Sequence, residues 1–384
     1  MAPNRFLAQP MEGNDGENGG KASERTVNRY GALGKGHWGV AVVEAVSVVP
    51  DCLARVNQLI LEENNLDSFK RLVAAYKEAN PEGLLLIQIT HSGIKGGAGT
   101  VPCVLNEPIP SGARLLSTAE LEDIRLRFIK TARLAELAGA DGIDFKFCHG
   151  YLGAEMLRPT NLRSDGWGST FEGRTRLLHE CVSEIRAASK ASFLIGSRIS
   201  VYEGIRGGCG TAAPDELVED LAEMKKVIEL MAELEMDYIN VSAGIPGETS
   251  EITRPVPAAR WFYLEHIRYA KFVMETLRAY KRSSAQTIGA VPLPTVIQSA
   301  FSLLKADALS LAADCIAKGY SDFAGFGRQQ FADPATPAKL FAGQEPQWCA
   351  ACSGCSRLMV KQVNDGCSLY NSYYKGLLSA GSGA

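Results

Sequence analysis

The sequence has no apolar run of membrane-spanning length, and its start, MAPNRFLAQPMEG, lacks the basic region and continuous apolar stretch of a secretory signal. Membrane insertion and export are therefore not expected, and a cytoplasmic location is. Net charge is also small, since 40 Lys and Arg against 43 Asp and Glu leave −3, which offers no basic footprint for a nucleic acid. No G-x-G-x-x-G follows the first strand-like segment, so the signal for a doubly wound dinucleotide-binding sheet is weak. Cysteine is not scarce, with ten in the chain. Six of them, Cys52, Cys103, Cys148, Cys181, Cys209 and Cys315, are scattered singly, which reads as buried free thiols rather than a disulfide framework.

What is present is a rhythm. With 384 residues and 46% hydrophobic content, the chain can bury one large core or two modest ones. Short β-branched or apolar runs occur near residues 5, 38, 84, 141, 192, 237, 294 and 322. Between them lie amphipathic stretches such as 66–79, 118–140, 175–190, 214–235 and 307–320, acidic towards their starts and basic towards their ends. Eight βα units over about 330 residues predict a TIM (β/α)8 barrel with loop insertions. Residues 92–116, rich in Gly and Pro after the third strand, are expected as a long loop over the active-site face. Trp261, Phe262 and Tyr263 read either as helix core or as the frame of a roomy apolar pocket, large enough for a bulky polycyclic enone. The expected organisation is a barrel over 1–335 and a cysteine-rich C-terminal segment over 336–384.

That segment carries Cys349, Cys352, Cys355 and Cys367 in CAACSGCSRLMVKQVNDGC. Three thiolates at i, i+3 and i+6 can converge on one small inorganic cluster, and a fourth from a following segment can close it. The C-x2-C-x2-C-x11-C spacing favours iron-sulfur over zinc, which usually takes two separate C-x2-4 hooks. Zinc and unrelated free thiols remain the alternatives.

The longest motif is DGIDFKFCHGYLGAEMLRPTNLRSDGWGSTFEGRTR at 141–176. Its HGYL core, its N-x-R-x-D-x-W-G-S pattern and the cysteine bracket, in this order, resemble the Old Yellow Enzyme family of FMN-dependent oxidoreductases. The resemblance is strongest to the branch of 2,4-dienoyl-CoA reductase and trimethylamine dehydrogenase, whose barrels carry a 4Fe-4S cluster. It runs from Pro10 through Arg328 to Cys367. It implies an FMN-binding barrel and an ene-reductase acting on the C=C bond of an α,β-unsaturated carbonyl compound, by hydride from flavin N5 and a proton from a tyrosine. Tyr151 aligns with that proton donor, and His149 can donate a hydrogen bond to developing enolate charge. Lys146 departs from the usual His at its position. It would either steady enolate or carboxylate charge or point outward to an acidic neighbour.

For FMN the resemblance implies Pro10, Met11 and Ala45 against the ring, Gln88 on the pyrimidine edge and Arg198 near flavin N1. Gly327 and Arg328 fit a phosphate site, whereas Ser299 and Ala300 stand where the family usually has two glycines. Glu12 replaces the Thr, or the flavin-linking Cys, of relatives, which excludes covalent flavin there and puts a carboxylate near the ring. Electrons are expected from NAD(P)H docking over the flavin, or from a ferredoxin or flavoprotein through the cluster, because the relatives' FAD- and NAD(P)H-binding domains do not follow within these 384 residues. Two alternatives stand beside this: an amine or C–H dehydrogenase sending electrons outward, and a barrel kept only for electron transfer. Barrels of this family often self-associate, which leaves a homo-oligomer open.

Overall fold

A computed structural model describes residues 2–253, 262–284 and 292–380. Eight parallel strands close into a barrel in chain order, the first pairing with the eighth. They are Phe6–Ala8, Val40–Ser47, Leu84–Thr90, Gly142–Phe147, Leu194–Ser200, Tyr238–Ser242, Thr295–Gln298 and Phe323–Phe326. Each begins within one of the eight runs read from the sequence, and the second extends two residues past its run, to Ser47. Parallel strands are covered on both faces and so read as near-continuous apolar runs. The second, VAVVEAVS, is buried throughout, and its one carboxylate, Glu44, is met by Arg29 from helix Glu24–Lys35.

The helices start where local chemistry caps them. Ser117 and Glu120 form a capping box on Thr118–Leu137, and Thr170 accepts from the Gly173 N–H at the start of Phe171–Ala188. In Leu66–Ala79 the residues Phe69, Leu72, Val73 and Tyr76 make the buried stripe. The stretch expected to be helical over 214–235 forms a helix only at Ala222–Glu233. Its first third is held by tertiary bonds instead: Arg268 and Tyr269 take the Glu219 carboxylate, and the Tyr202 hydroxyl donates to Leu217 O. Trp261 lies outside the described residues, and Tyr263 sits half-buried in helix Phe262–Ser284.

Register decides which side chains share the barrel interior, because successive strand residues point to opposite faces. Gln88 lies opposite Asp144, Lys146 opposite Arg198, and Arg198 opposite Asn240. Between the inward residues, Phe145 packs outward on Phe128 of the neighbouring helix, ring centroids 5.8 Å apart.

Two additions sit at the C-terminal ends of the strands. Residues 92–116 are not a bare loop: they hold a 3-10 turn, Gly93–Lys95, and a small ladder of Cys103–Val104 with Arg114–Leu115. After the eighth strand come helices Arg328–Ala332, Thr336–Phe341, Gly354–Val360 and Ser372–Ser379. This tail is tied to the loop after the first strand: the Asp365 N–H donates to Gly13 O at 2.7 Å, Asn14 Nδ2 to Val363 O at 3.0 Å, and Asn364 Nδ2 to Asn14 O at 2.6 Å. The six scattered cysteines are buried free thiols, as expected. Among the described residues no helix is long and apolar enough to cross a membrane.

Candidate active site at the barrel mouth

The residues singled out from the sequence gather at the C-terminal ends of the strands, the face on which TIM barrels build their sites. Pro10, Met11 and Glu12 follow the first strand, and Ala45, Gln88, Lys146 and Arg198 lie in the second to fifth. His149 and Tyr151 follow the fourth, Ser299 and Ala300 the seventh, and Gly327 and Arg328 the eighth.

Glu12 is the hub of one cluster. Its Oε1 accepts from Lys146 Nζ at 2.9 Å and from the Tyr151 hydroxyl at 3.0 Å. Arg55 Nε lies 2.7 Å from its Oε2, but the N–H is not aligned with that oxygen, so this contact is an ion pair rather than a hydrogen bond. Burial would raise the Glu12 carboxyl, yet Arg55 and Lys146 outweigh it and hold the group at about 2. Lys146 points inward and pairs with Glu12, not outward to an acidic neighbour. Its ammonium sits 3.3 Å from the centroid of the Tyr151 ring. Burial opposes the ammonium, but Glu12 more than compensates and Lys146 stays charged. Burial and the Glu12 charge together raise the Tyr151 phenol, which keeps its proton at neutral pH. The carboxylate expected to burden a reduced flavin is thus neutralised by two cations.

A second chain of contacts runs through His149. Its backbone is left-handed, with φ of 62°, fixed by the N–H bond to Ser200 Oγ at 3.1 Å. Its Nε2 bonds Ser242 Oγ at 2.7 Å, and Arg198 Nη2 reaches the same oxygen at 3.4 Å. Burial, then Arg198 and Lys146, push the imidazole well below its ordinary range, so His149 is neutral.

The barrel floor holds residues that no local motif marks. Gln9 donates to Asn240 Oδ1 at 2.9 Å and to Ser299 Oγ at 2.7 Å, so the Ser299 hydroxyl is turned to the barrel. Gln88 donates to Asp144 at 2.6 Å, and burial raises that carboxyl to about 6, against Gln88 and Arg198. Arg55, Asp144, Asn240 and Ser242 all escaped the sequence reading, since each lies in a segment whose local pattern says only strand or loop.

The FMN implied by the resemblance fits this mouth on two observations. Arg198 Nε and Arg328 Nη1 are buried without a hydrogen-bond partner, an arrangement that calls for an anionic or acceptor ligand. Ala300 has φ of +82°, so the turn after the seventh strand keeps a glycine-type backbone although it carries a side chain. Arg198 and Gln88 would hold the ring and Arg328 the phosphate.

The cysteine bracket is hung beside that phosphate corner. Gln329, next to Arg328, accepts from the Cys349 N–H at 2.8 Å and donates to Gln347 O at 3.0 Å. Ala351 and Ser353 are left-handed, φ 53° and 57°, which curls the run around its thiols. Cys349 lies within electrostatic range of Cys352, Cys367 and Arg328, and Cys355 of Cys349 and Arg328. Among the described residues, no three of these four thiols lie within 4.8 Å of one another.

Residues 2–347 match the NADH:flavin oxidoreductase / NADH oxidase family. An NADH oxidase of Thermoanaerobacter brockii is 27% identical over 366 residues, covering 92% of this chain and 51% of its own length. The chain thus spans about half the length of that relative. A solved 2-naphthoyl-CoA reductase superposes with a TM-score of 0.78 at 21% identity, over 99% of this chain and 56% of its own. An old yellow enzyme homologue from Zymomonas mobilis gives 0.70 at 18%, over 96% and 95%. These two likenesses establish the fold, and the family match over most of the sequence goes further: the chain belongs to the NADH:flavin oxidoreductase / NADH oxidase family.

Proposed function

We propose that this chain is an FMN-dependent ene-reductase that reduces the C=C bond of an α,β-unsaturated carbonyl compound, and that Cys349, Cys352, Cys355 and Cys367 hold a 4Fe-4S cluster. The observation that carries the reading is a protonated phenol, Tyr151, and a neutral imidazole, His149, two residues apart at the barrel mouth, with Arg198 Nε and Arg328 Nη1 buried there without a hydrogen-bond partner. When bound, FMN supplies the hydride and the cluster supplies single-electron transfer. Electrons would come from NAD(P)H, a ferredoxin or a flavoprotein.

The chain's own groups then divide the polar work. His149 spends Nε2 on Ser242 and has Nδ1 left for a carbonyl oxygen. A neutral donor there polarises the carbonyl without adding a full buried charge. Tyr151 delivers its proton to the α-carbon, and the Lys146 ammonium against its ring steadies the phenolate that results. Glu12 cannot return that proton: a carboxyl held at about 2 is unprotonated at neutral pH. It orients the phenol instead, and water re-protonates Tyr151. A resting Tyr151 bonded to Glu12 must turn towards substrate, so Glu12 also sets how easily the donor is released.

The test begins with anaerobic purification, an absorption spectrum, and quantification of FMN, iron and sulfide. Small enones, enoyl-CoA esters, steroid enones and amines are then compared as substrates. Tyr151→Phe should cut enone reduction by about 10²–10⁴-fold, the usual worth of a positioned proton donor, with FMN content unchanged. Full activity in that variant, or faster turnover of an amine than of any enone, would overturn the proposal.

A further inference from the structure

Away from the barrel-mouth chemistry, three soft ligands converge from three segments. Cys52 lies in the loop after the second strand, His91 immediately follows the third, and Cys103 belongs to the ladder in the insertion. Their donor atoms all lie within 4.8 Å of one another, and the residues are 0%, 2% and 0% exposed. The backbone closes over them: a Cβ on Gly96 would stand 2.7 Å from Cys52 Sγ. The two thiols hydrogen-bond each other, and Cys52 Sγ reaches Gly93 O at 3.4 Å.

From this geometry we infer a second metal site, separate from the C-terminal cysteines, in which Cys52, His91 and Cys103 bind one zinc ion. Zinc bonds of about 2.3 Å to sulfur and 2.0–2.1 Å to nitrogen place donor atoms roughly 3.3–3.8 Å apart. That requires only a small contraction from the spacing present. Charge also balances, because two thiolates cancel the ion's charge and a neutral imidazole adds none, so a neutral assembly is buried. The Gly93 N–H donates to His91 Nδ1 at 3.1 Å. Zinc on Nδ1 displaces that bond and zinc on Nε2 moves the ring's proton, while loss of the thiol protons ends the bonds of Cys52 Sγ to Gly93 O, of Cys103 Sγ to Val101 O and between the two thiols; three coordination bonds replace them.

The ion would fasten the loop after the second strand to the insertion after the third. Arg55, the ion-pair partner of Glu12, sits on that same loop. Zinc therefore anchors the segment that presents a cation to the barrel mouth.

The test uses the purified holoprotein, incubated with excess zinc, desalted, and analysed for zinc, iron and FMN per chain. Wild type should retain one zinc, and the Cys52→Ser/Cys103→Ser double variant at least tenfold less, with iron and FMN unchanged. X-ray absorption at the zinc edge of the wild type should show two sulfurs near 2.3 Å and a nitrogen near 2.0 Å. This second measurement decides the matter if the variant fails to fold. A zinc-free wild type, zinc retained in the double variant, an all-sulfur shell, or a Cys52–Cys103 disulfide in the zinc-treated protein would each overturn the inference.

Discussion

Replacing Glu12 by glutamine keeps the side chain's size and removes its charge. The carboxyl sits at about 2 rather than its ordinary 4.5, a difference worth about 3 kcal/mol at 1.36 kcal/mol per unit. Burial acts in the opposite sense, so this figure is what remains after Arg55 and Lys146 have outweighed desolvation. The rise of Lys146 is the same attraction seen from its partner and is counted once. In Glu12→Gln the Lys146 ammonium and the Arg55 guanidinium lose their counter-charge. Removing one partner of a buried pair costs about 3–5 kcal/mol, and the 17% exposure of the Arg55 side chain places the expected loss near the lower end. The pH sign follows from a lowered carboxyl: its stabilisation is complete above 4.5 and is lost as pH falls towards 2. Urea unfolding followed by tryptophan fluorescence should therefore show a loss of about 3 kcal/mol at neutral pH that shrinks on acidification through this window. A double-mutant cycle with Lys146→Met isolates the pair. A variant within about 0.5 kcal/mol of wild type at neutral pH, the scatter of ordinary surface changes, would refute the reasoning, as would a difference independent of pH.

Ala300→Gly should stabilise the protein, because Ala at φ +82° costs about 1–2 kcal/mol and the added chain entropy of glycine returns only part of it. A calorimetric Tm one to a few degrees higher is expected, and an unchanged or lower Tm would deny the strain. His266 is a buried imidazole pushed down to about 4 by burial, with Arg198 adding to it. Its stabilisation is present above 6.5 and lost as pH falls towards 4, about 3 kcal/mol in all. In His266→Gln the urea midpoint should fall less steeply with acidification over that range, by about one proton's worth, and an unchanged slope would remove His266 as a source. Burial pushes the Cys355 thiol up to about 12, so a thiolate there at neutral pH requires a bound cation. Cys355→Ser should lose most of its iron while keeping FMN, and wild-type iron content would exclude this thiol as a ligand.

The eight strands were legible because a strand buried on both faces is written locally, as in VAVVEAVS and LLLIQIT. Glu12, Tyr151 and Arg328 were singled out by the family resemblance, and they lie just past the first, fourth and eighth strands, where barrel chemistry collects. The helix expected from 214 was misjudged at its start because Arg268 and Tyr202, distant in sequence, supply its hydrogen bonds. The residues themselves thus determined the barrel, the bracket spacing of Cys349 to Cys367 and the types of side chain at the mouth. Only the tertiary structure decided that Glu12 would be shared by Arg55, Lys146 and Tyr151, that Ser299 would turn to Gln9, and that His149 would be neutral. The reason is physical: hydrophobic period is a property of neighbours in the chain, whereas charge state and hydrogen-bond partner are set by whatever closure of the barrel brings within a few ångströms.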